Sequence, residues 1–501
     1  MSTERILFEG YKSKITTAEE AAKLIKDGSV LGVSGFTKAG DSKAVLPALA
    51  QLAKTHPVRV SLLSGASLGY DTETQLALSD VIAKRIPFMA DAELRKSINT
   101  HKALYMDQHL SETHEMLNNK HFPKVNTALI EASSIDANGN IIPTTSVGNS
   151  ATFAALADEI IIEVNSAFPL AFNGMHDIYL PTAYPNREAV NVTHVDTRIG
   201  TNYIKVDPSK VVAVVLTNKP DAPAVISAPD EVTSGISRHI TEFFNKEVAE
   251  GRLTKSLMPL QAGIGKIANA VLSGLVHSDF ENLVMYSEVL QDSTFELFDS
   301  GKMTFASTTS ITISQECYDN FINNFDQYKD KIVLRPQNVS NLPEVIRRLG
   351  IIGINTAIEF DIYGNVNSTH IGGTRMMNGI GGSGDFARNA FISIFVCPSV
   401  GKGGSISQVV PMVPHHDHTE HDVDVVVTEQ GLADLRGLAP RERAQKIIDN
   451  CCHPDYRPQL QAYFDAACKH GGQTPHIMEK AFAWHVNLRD HGTMKLNEEI
   501  Y

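Results

Sequence analysis

The 501-residue sequence lacks the features that mark secreted, membrane or nucleic-acid-binding proteins. Its five cysteines are an odd number without zinc-type spacing, which favours reduced thiols in the cytoplasm. No apolar run approaches the roughly 20 residues of a membrane-spanning helix, and the first residues lack a signal-peptide pattern. The formal net charge of −13 argues against a nucleic acid partner. We therefore expect a cytoplasmic protein that binds neither membrane nor nucleic acid.

Helical and strand-like segments alternate along the chain. Residues 17–26 predict a helix capped by Thr16 or Thr17, and residues 29–34 predict a short strand. The apolar runs at 159–164 and 211–216 are typical of strands buried on both faces of a parallel sheet. The chain is too long for one hydrophobic core. We predict an α/β protein of two tandem, similar open α/β domains with mainly parallel sheets.

A faint internal repeat supports two similar halves. In each copy a short strand ending in glutamate precedes a D-x-x-G-N turn, then a loop of small residues and a closing strand. The copies comprise residues 129–141, 147–150 and 160–165, and residues 357–366, 382–385 and 424–429. Chance recurrence of turn sequences is the alternative. Because the proline-rich segment 218–224 resembles a linker, we predict domains at 1–220 and 221–501.

Glu288 is the strongest candidate for catalysis. It ends the apolar stretch 282–287, and the glycine-rich loops 261–265 and 379–385 lie before and after it in sequence. Ligands of open α/β sheets bind beyond the carboxyl ends of strands, and a carboxylate there can act as a nucleophile. Backbone N–H groups of glycine loops could stabilise an oxyanion. A solvated charge or helix cap is the alternative for Glu288, and neither loop has the spacing of a nucleotide-binding motif.

Four motifs resemble the class I CoA-transferases, more narrowly the acetyl-CoA hydrolase/transferase family and, within it, the bacterial succinyl-CoA:acetate branch. The motifs are QAGIGKIANA at 261–270, YSEVLQD at 286–292, MNGIGGSGDFAR at 377–388 and TEQGLADLRG at 428–437. The resemblance also takes in SGFTKAG at 34–40 and PTTSVGNS at 143–150. It implies transfer of CoA from succinyl-CoA to acetate, giving acetyl-CoA and succinate, through an acyl-glutamyl anhydride and a glutamyl-CoA thioester.

The resemblance also implies roles for individual residues. Glu288 and Asn341 would be catalytic, with oxyanion donors at Ile264 and Gly382. Glu429 and Arg388 would orient the site. The alternative for Glu429 is a structural ion pair with Arg436 or Arg388. The residues expected to bind CoA are Gly263, Ile264, Gly265, Lys266, Ile267, Ile358, Asn378, Gly382 and Lys402.

Several alternatives remain open in the sequence. An acyl-CoA hydrolase would use the same residues if water reached the intermediate, and a propionyl-CoA:succinate CoA-transferase would differ by one methylene. A non-catalytic CoA-binding protein would not need Glu288. The histidine-rich run 415–421 could hold zinc, but we interpret it as a polar surface loop and expect no metal. We expect no cofactor, since CoA is a substrate, and the resemblance implies a homodimer.

Overall fold

A computed structural model of the protein describes residues 3–185 and 187–496. The chain divides into two compact units. The first comprises Met1–Val225, Val284–Phe295 and Thr304–Leu349, and the second comprises Ile226–Leu283, Glu296–Met303 and Gly350–Tyr501. The chain first passes from one unit to the other between Val225 and Ile226, near the predicted boundary at residue 220. Two later segments return to the first unit, an arrangement that two continuous halves do not describe.

An eight-stranded sheet forms the centre of the first unit, and each strand runs parallel to its neighbours. Its central strands are buried on both faces, which explains the apolar runs of the sequence. The predicted α/β class with mainly parallel sheets is confirmed. The order across the sheet is Ile15–Thr16, Val211–Thr217, Glu159–Asn165, Thr127–Ala132, Val30–Val33, Val60–Leu63, Ile82–Ile86 and Leu104–Tyr105.

Short helices connect these strands. The first is shorter than predicted, and the Thr17 side chain caps it by accepting a hydrogen bond from the backbone N–H of Glu20. The helices of this part of the chain are Ala18–Ala22, Val45–Ala53, Thr72–Leu78, Ala92–Asn99, Thr113–Asn118 and Ser150–Leu156. A two-stranded antiparallel ribbon, Ser134–Ile135 with Ile141–Ile142, follows the strand Thr127–Ala132.

A second group of strands brings residues after 283 into the first unit. In sheet order these strands are Ile332–Leu334, Met303–Thr308 and Leu283–Tyr286, and the first two are parallel. The short strands Val289–Leu290 and Ser310–Ile311 also pair in parallel. The helices in and around these segments are Asp292–Asp299, Gln315–Asn323, Gln337–Ser340 and Pro343–Leu349.

The second unit contains five consecutive strands of the other eight-stranded sheet. Four parallel strands and one antiparallel edge strand lie in the order Leu260–Ala262, Ile352–Thr356, Ile392–Val396, Val425–Thr428 and Gly431–Asp434. The helices are Glu231–Ala249, Lys266–Val276, Ser383–Asn389, Pro440–Cys451, Arg457–His470 and Ala483–His491. The remaining short strands are Glu359–Asp361, Val366–Asn367, His370–Ile371, Arg375–Met376, Val400–Gly401, Ile406–Ser407 and Val409–Val410. None of the described helices is long and apolar enough to cross a membrane.

The predicted internal repeat has a structural counterpart in its two turns. In one turn Asp136 accepts hydrogen bonds from the backbone and side chain of Asn140. In the other, Asp361 accepts the same bonds from Asn365. The glycine before each asparagine has a positive φ, +85° at Gly139 and +91° at Gly364, a conformation that favours glycine. The two D-x-x-G-N sequences therefore form the same local turn.

The predicted end of the second copy is wrong. The helix Ser150–Leu156 leads into the strand Glu159–Asn165, and the corresponding helix Ser383–Asn389 leads into Ile392–Val396. The strand that we predicted at 424–429 lies one position further along the sheet, as Val425–Thr428. Both strands are apolar, so composition alone could not distinguish them.

Candidate active site

Glu288 lies two residues beyond the strand Leu283–Tyr286, in the first unit. Its backbone carbonyl accepts hydrogen bonds from the amides of Thr309 and Ser310, both at 3.1 Å, and from the Thr308 hydroxyl at 2.8 Å. The residue is only 8% exposed. Three donors fix the backbone of this glutamate, and its low exposure argues against the solvated-charge alternative.

Asn341 lies beside this carboxylate, as the resemblance implies. Its Nδ2 is 3.5 Å from Oε1 of Glu288, and it follows directly after the short helix Gln337–Ser340. The Ser340 hydroxyl donates to Asn341 Oδ1 at 2.9 Å. Since an ionised carboxylate can only accept hydrogen bonds, the amide nitrogen is the atom that faces Glu288. Asn341 is fully buried.

A buried arginine that our sequence reasoning missed supports the Glu288 backbone. Arg335 follows the strand Ile332–Leu334, and its amide donates to the Thr308 carbonyl at 2.7 Å. Its Nε donates to the Ser307 hydroxyl at 2.8 Å, and its guanidinium pairs with Asp177. Arginine and aspartate are both almost completely buried. Since their positions are far apart in sequence, only the fold reveals this support.

The loop with the predicted oxyanion donor Ile264 belongs to the second unit. It connects the strand Leu260–Ala262 to the helix Lys266–Val276, and Gly265 has φ +110° and ψ −178°. Ile264 is 43% exposed. Lys266 forms an ion pair with Asp230 at 2.7 Å, and this contact lowers the pKa of that aspartate.

Gly382, the other predicted oxyanion donor, is buried and precedes the helix Ser383–Asn389. Asn378, at the start of the same loop, has a buried Oδ1 without a hydrogen-bond partner among the described residues. A buried acceptor of this kind is available to a ligand donor, which fits the expected contact with CoA. Arg388 is exposed near the end of the helix.

The other predicted CoA-binding residues occupy several parts of the second unit. Ile358 is half-buried, and its carbonyl accepts a hydrogen bond from the Gln408 side chain at 2.8 Å. Lys402 is exposed in a turn with φ +45°. Gly263 and Ile267 are partly exposed, the first before and the second within the helix Lys266–Val276. Their roles in CoA binding stay predictions.

Glu429 has a different environment from the ion pair that we considered. Its carboxylate accepts hydrogen bonds from the Ser399 amide at 2.8 Å and from the Ser399 hydroxyl. It forms no ion pair within the part of the chain that the structure describes. The alternative of a pair with Arg436 or Arg388 is therefore wrong, and Arg436 instead binds Glu247 at 2.8 Å.

In the histidine-rich run His415 is half-buried and His418 is buried, and the half-buried ring of His370 lies against His415. Burial lowers the pKa of His416, and burial together with the nearby His415 lowers that of His370. The rings of His370 and His415 lie 3.8 Å apart. No group of three or more histidine, cysteine or acidic residues in 3–185 and 187–496 is arranged to hold a metal ion.

The comparisons with known proteins define the class of the protein. Residues 2–216 match the acetyl-CoA hydrolase/transferase N-terminal domain, and residues 314–464 match the C-terminal domain. The sequence is 48% identical over 487 residues to the succinyl-CoA:acetate CoA-transferase of Clostridium kluyveri, covering 97% of this chain and 90% of that protein. The protein is thus an enzyme of the CoA-transferase type. The chain belongs to the acetyl-CoA hydrolase/transferase family.

Other relatives are named for different activities. The chain is 45% identical to an acetyl-CoA hydrolase of Schizosaccharomyces pombe, covering 99% of both proteins. It is 43% identical to the propanoyl-CoA:succinate CoA transferase of Escherichia coli, covering 95% of this chain and 98% of that protein. These names leave the acyl substrate and the acceptor open.

Solved structures support the fold. RipA from Yersinia pestis superimposes with a TM-score of 0.72 at 23% identity, covering 92% of this chain and 98% of that one. A 4-hydroxybutyrate CoA-transferase from Porphyromonas gingivalis superimposes with a TM-score of 0.61 at 21% identity, covering 91% and 98%. At these identities the likeness concerns the fold alone.

Proposed function

We propose that this enzyme transfers CoA from succinyl-CoA to acetate, forming acetyl-CoA and succinate. The single observation that supports this most is the buried Glu288 with Asn341 at 3.5 Å, in a chain 48% identical to a succinyl-CoA:acetate CoA-transferase. A buried carboxylate with a fixed backbone is suited to nucleophilic attack, because it needs no base to be activated at neutral pH.

In the proposed reaction, a Glu288 carboxylate oxygen attacks the thioester carbon of succinyl-CoA. The carbon–sulfur bond breaks, giving a succinyl-glutamyl anhydride and CoA thiolate. The thiolate then attacks the glutamyl carbonyl carbon, so that succinate leaves and a glutamyl-CoA thioester remains. Acetate attacks this thioester, and the released thiolate attacks the acetyl carbon, which forms acetyl-CoA and regenerates Glu288. The thioester energy is retained in a covalent bond at every stage.

Each attack creates a tetrahedral oxyanion, for which we propose the backbone N–H groups of Ile264 and Gly382 as donors. One such donor contributes about 3 kcal/mol of transition-state stabilisation in other enzymes. Asn341 would orient Glu288 through its amide N–H. Asn378, with its orphan Oδ1, would accept a hydrogen bond from CoA, and Gly263 to Ile267, Ile358 and Lys402 would contact it elsewhere.

Hydrolysis is the second candidate, because an acetyl-CoA hydrolase is among the close relatives. It would follow the same first steps, with water rather than a carboxylate attacking the covalent intermediate. Propionate in place of acetate would change a pocket contact worth about 1–3 kcal/mol. We further propose a cytoplasmic homodimer that requires no metal or bound cofactor.

The first test supplies purified enzyme with succinyl-CoA, with and without acetate, and follows acetyl-CoA and free thiol separately. We expect acetyl-CoA only with acetate and little thiol release. Thiol release without acetate would identify a hydrolase. A third incubation replaces acetate with propionate. If propionyl-CoA forms there and acetyl-CoA forms in neither of the first two, the acceptor is propionate and not acetate.

A second test identifies the nucleophile. Glu288→Ala should abolish transfer while CoA binding is largely retained, and intact-mass analysis of wild type with acyl-CoA should detect CoA attached to the protein with loss of water. Glu281→Gln, an exposed glutamate just before the same strand, serves as the control. Full turnover by Glu288→Ala, or CoA attached to another residue, would refute the assignment.

A further inference from the structure

Hydrogen bonds connect the histidine-rich segment, through Thr369 and Ser383, to the two ends of the loop that carries Gly382. We define the glycine loop as residues 377–382, between the strand Arg375–Met376 and the helix Ser383–Asn389. The proposed reaction leaves the histidines without a role, and they form no metal site among the described residues. Two residues of the run are nevertheless well shielded from solvent, since the Asp417 side chain is 5% exposed and His418 is buried.

Asp417 is bonded to the residues that lead into the glycine loop. Its carboxylate accepts hydrogen bonds from the Ser368 amide at 2.6 Å and from the Thr369 hydroxyl at 2.9 Å. The carbonyl of Thr369 in turn accepts a hydrogen bond from the amide of Met377 at 2.8 Å. The first residue of the loop is therefore connected to Asp417 through a single residue.

His418 contacts the residue that follows the glycine loop. Its Nε2 lies 3.0 Å from the Ser383 hydroxyl oxygen. That hydroxyl donates its own hydrogen to the Ile380 carbonyl at 2.7 Å. Since a serine hydroxyl has one hydrogen to donate, its oxygen is the acceptor towards His418, and Nε2 of His418 carries the hydrogen.

The imidazole is held in one position. His418 is 2% exposed, and its ring packs on Phe395 with the centroids 4.6 Å apart. Its backbone pairs with Val366, whose amide donates to the His418 carbonyl at 2.8 Å. Because the ring and the backbone of His418 are already held by these contacts, the side chain loses little further conformational freedom when it bonds to Ser383.

We propose that His418 is a positioning residue for the glycine loop. Through Ser383 it fixes the position of the Ile380 carbonyl. The orientation of the peptide groups between Ile380 and Gly382, and so the direction of the Gly382 N–H, then depends on this bond. This inference rests on the proposed function, in which that N–H stabilises the oxyanion. Asp417 fixes the start of the loop in the same way, so two consecutive residues determine both ends.

The kinetic test compares His418→Leu with His418→Gln. Leucine removes the donor, and we expect kcat to fall about 10- to 100-fold, the usual effect of a small misplacement of catalytic groups, with KM little changed. Glutamine places an amide N–H near the Nε2 position, so His418→Gln should recover much of the lost kcat. His421→Leu, on the same segment with its side chain 81% exposed, is the matched control and should behave as wild type.

Ser383→Ala provides a second variant that keeps the imidazole. It should lower kcat as His418→Leu does, and the double variant should be little worse than either single one, because both remove the same bond. Additive losses would mean that the two residues act separately. Equal losses in His418→Leu and His418→Gln would mean that only ring packing on Phe395 matters. Either outcome overturns the proposal.

Amide hydrogen exchange measured without substrate separates this inference from the proposed function. In His418→Leu and Ser383→Ala, exchange across residues 378–386 should speed up, while that of the strand Ile392–Val396 stays as in wild type. Unchanged exchange in the loop would overturn the positioning role even if the enzyme is a transferase. Faster exchange in a protein that transfers no CoA would sustain the role and reject the proposed chemistry.

Discussion

Nδ2 of Asn341 lies 3.5 Å from Oε1 of Glu288, with both residues buried in the same compact unit. This distance is at the outer limit of a hydrogen bond. A neutral donor at this range can orient a carboxylate without pairing it with a positive charge, so the glutamate keeps its nucleophilic character. A lysine or arginine at the same place would stabilise the anion and lower its reactivity.

The first prediction concerns this pair. Asn341→Ala should lower kcat by about 10- to 100-fold through misorientation of the nucleophile. Asn341→Asp should lower it further at neutral pH, because two close carboxylates raise the pKa of one of them and protonate the nucleophile. Activity of the aspartate variant should therefore recover as the pH rises. A flat ratio of variant to wild-type kcat between pH 6 and 9 would contradict this account. Asn323→Ala, at an exposed position, is the control.

Lys43 carries the second prediction, since it is the cation within a buried group of three carboxylates. Its Nζ lies 2.7 Å from Glu131, 2.9 Å from Asp221 and 3.7 Å from Asp41, and the lysine side chain is not exposed at all. Burial raises the pKa of Asp41 to about 6. Lys43→Met should lower the free energy of unfolding by about 3–5 kcal/mol, the usual cost of leaving buried charge unpaired.

The loss in Lys43→Met should grow with pH. Without the ammonium, the carboxyl groups keep their protons to higher pH in the folded state than in the unfolded state. The free energy of unfolding then falls as the pH rises through the raised carboxyl pKa values. Urea unfolding at pH 6 and pH 8 measures the difference. Lys12→Met, at an exposed ion pair with Glu9, should change stability by less than about 1 kcal/mol at both pH values. Equal effects of the two substitutions would refute the assignment.

His176 carries the third prediction. Its Nε2 lies 2.9 Å from the Thr144 carbonyl, so it is the protonated nitrogen of a neutral ring, and burial lowers the pKa of His176 to about 4. An unfolded histidine has a pKa of about 6.5. The unfolded state therefore gains a proton before the folded state does. The contribution of His176 to the free energy of unfolding is therefore fully present above pH 6.5. It falls by up to about 3 kcal/mol as the pH drops towards 4.

His176→Gln tests this directly, because glutamine can donate to Thr144 but does not titrate. The variant should lose less stability than wild type between pH 6.5 and pH 4.5 in urea unfolding. His421→Gln, at an exposed position, should follow the wild-type curve. Parallel curves for wild type and His176→Gln would show that acid sensitivity arises elsewhere.

Local features of the fold could be predicted from the sequence. The apolar runs at 159–164 and 211–216 became buried parallel strands, because their composition suits a sheet covered on both faces. The D-x-x-G-N turns were predictable since their hydrogen bonds are formed within a few residues. The position of Glu288 just beyond a strand was also predictable from the apolar stretch before it, and its catalytic role stays a prediction.

Features that depend on distant residues were not predictable. The return of 284–295 and 304–349 to the first unit depends on strand pairing, which no local pattern encodes. The partners of Lys43 at positions 131 and 221 are brought together only by folding. Asn341 was named through the family resemblance, and no property of its own sequence context would have identified it. The bond between His418 and Ser383 likewise needs the fold.

Gly265 carries the last prediction, and the chain offers a closely matched control. Gly265 has φ +110° and ψ −178°, and Gly471 has φ 79° and ψ −165°. Both conformations belong to a region that is essentially restricted to glycine, and a Cβ at either position would meet nothing within 4 Å. Alanine should therefore cost about 1–3 kcal/mol of backbone strain at each position, without any steric clash.

The two substitutions should differ in activity. Relief of strain at Gly265→Ala would reorient the peptide next to Ile264, so kcat/KM for acyl-CoA should fall about tenfold or more, as expected when a binding group is misplaced. Gly471→Ala, after the helix Arg457–His470, should lose similar stability and keep its kcat/KM. Thermal unfolding and initial rates measure both effects. Equal kinetic losses would mean that the activity follows stability alone, and that the conformation of Gly265 has no specific part in the reaction.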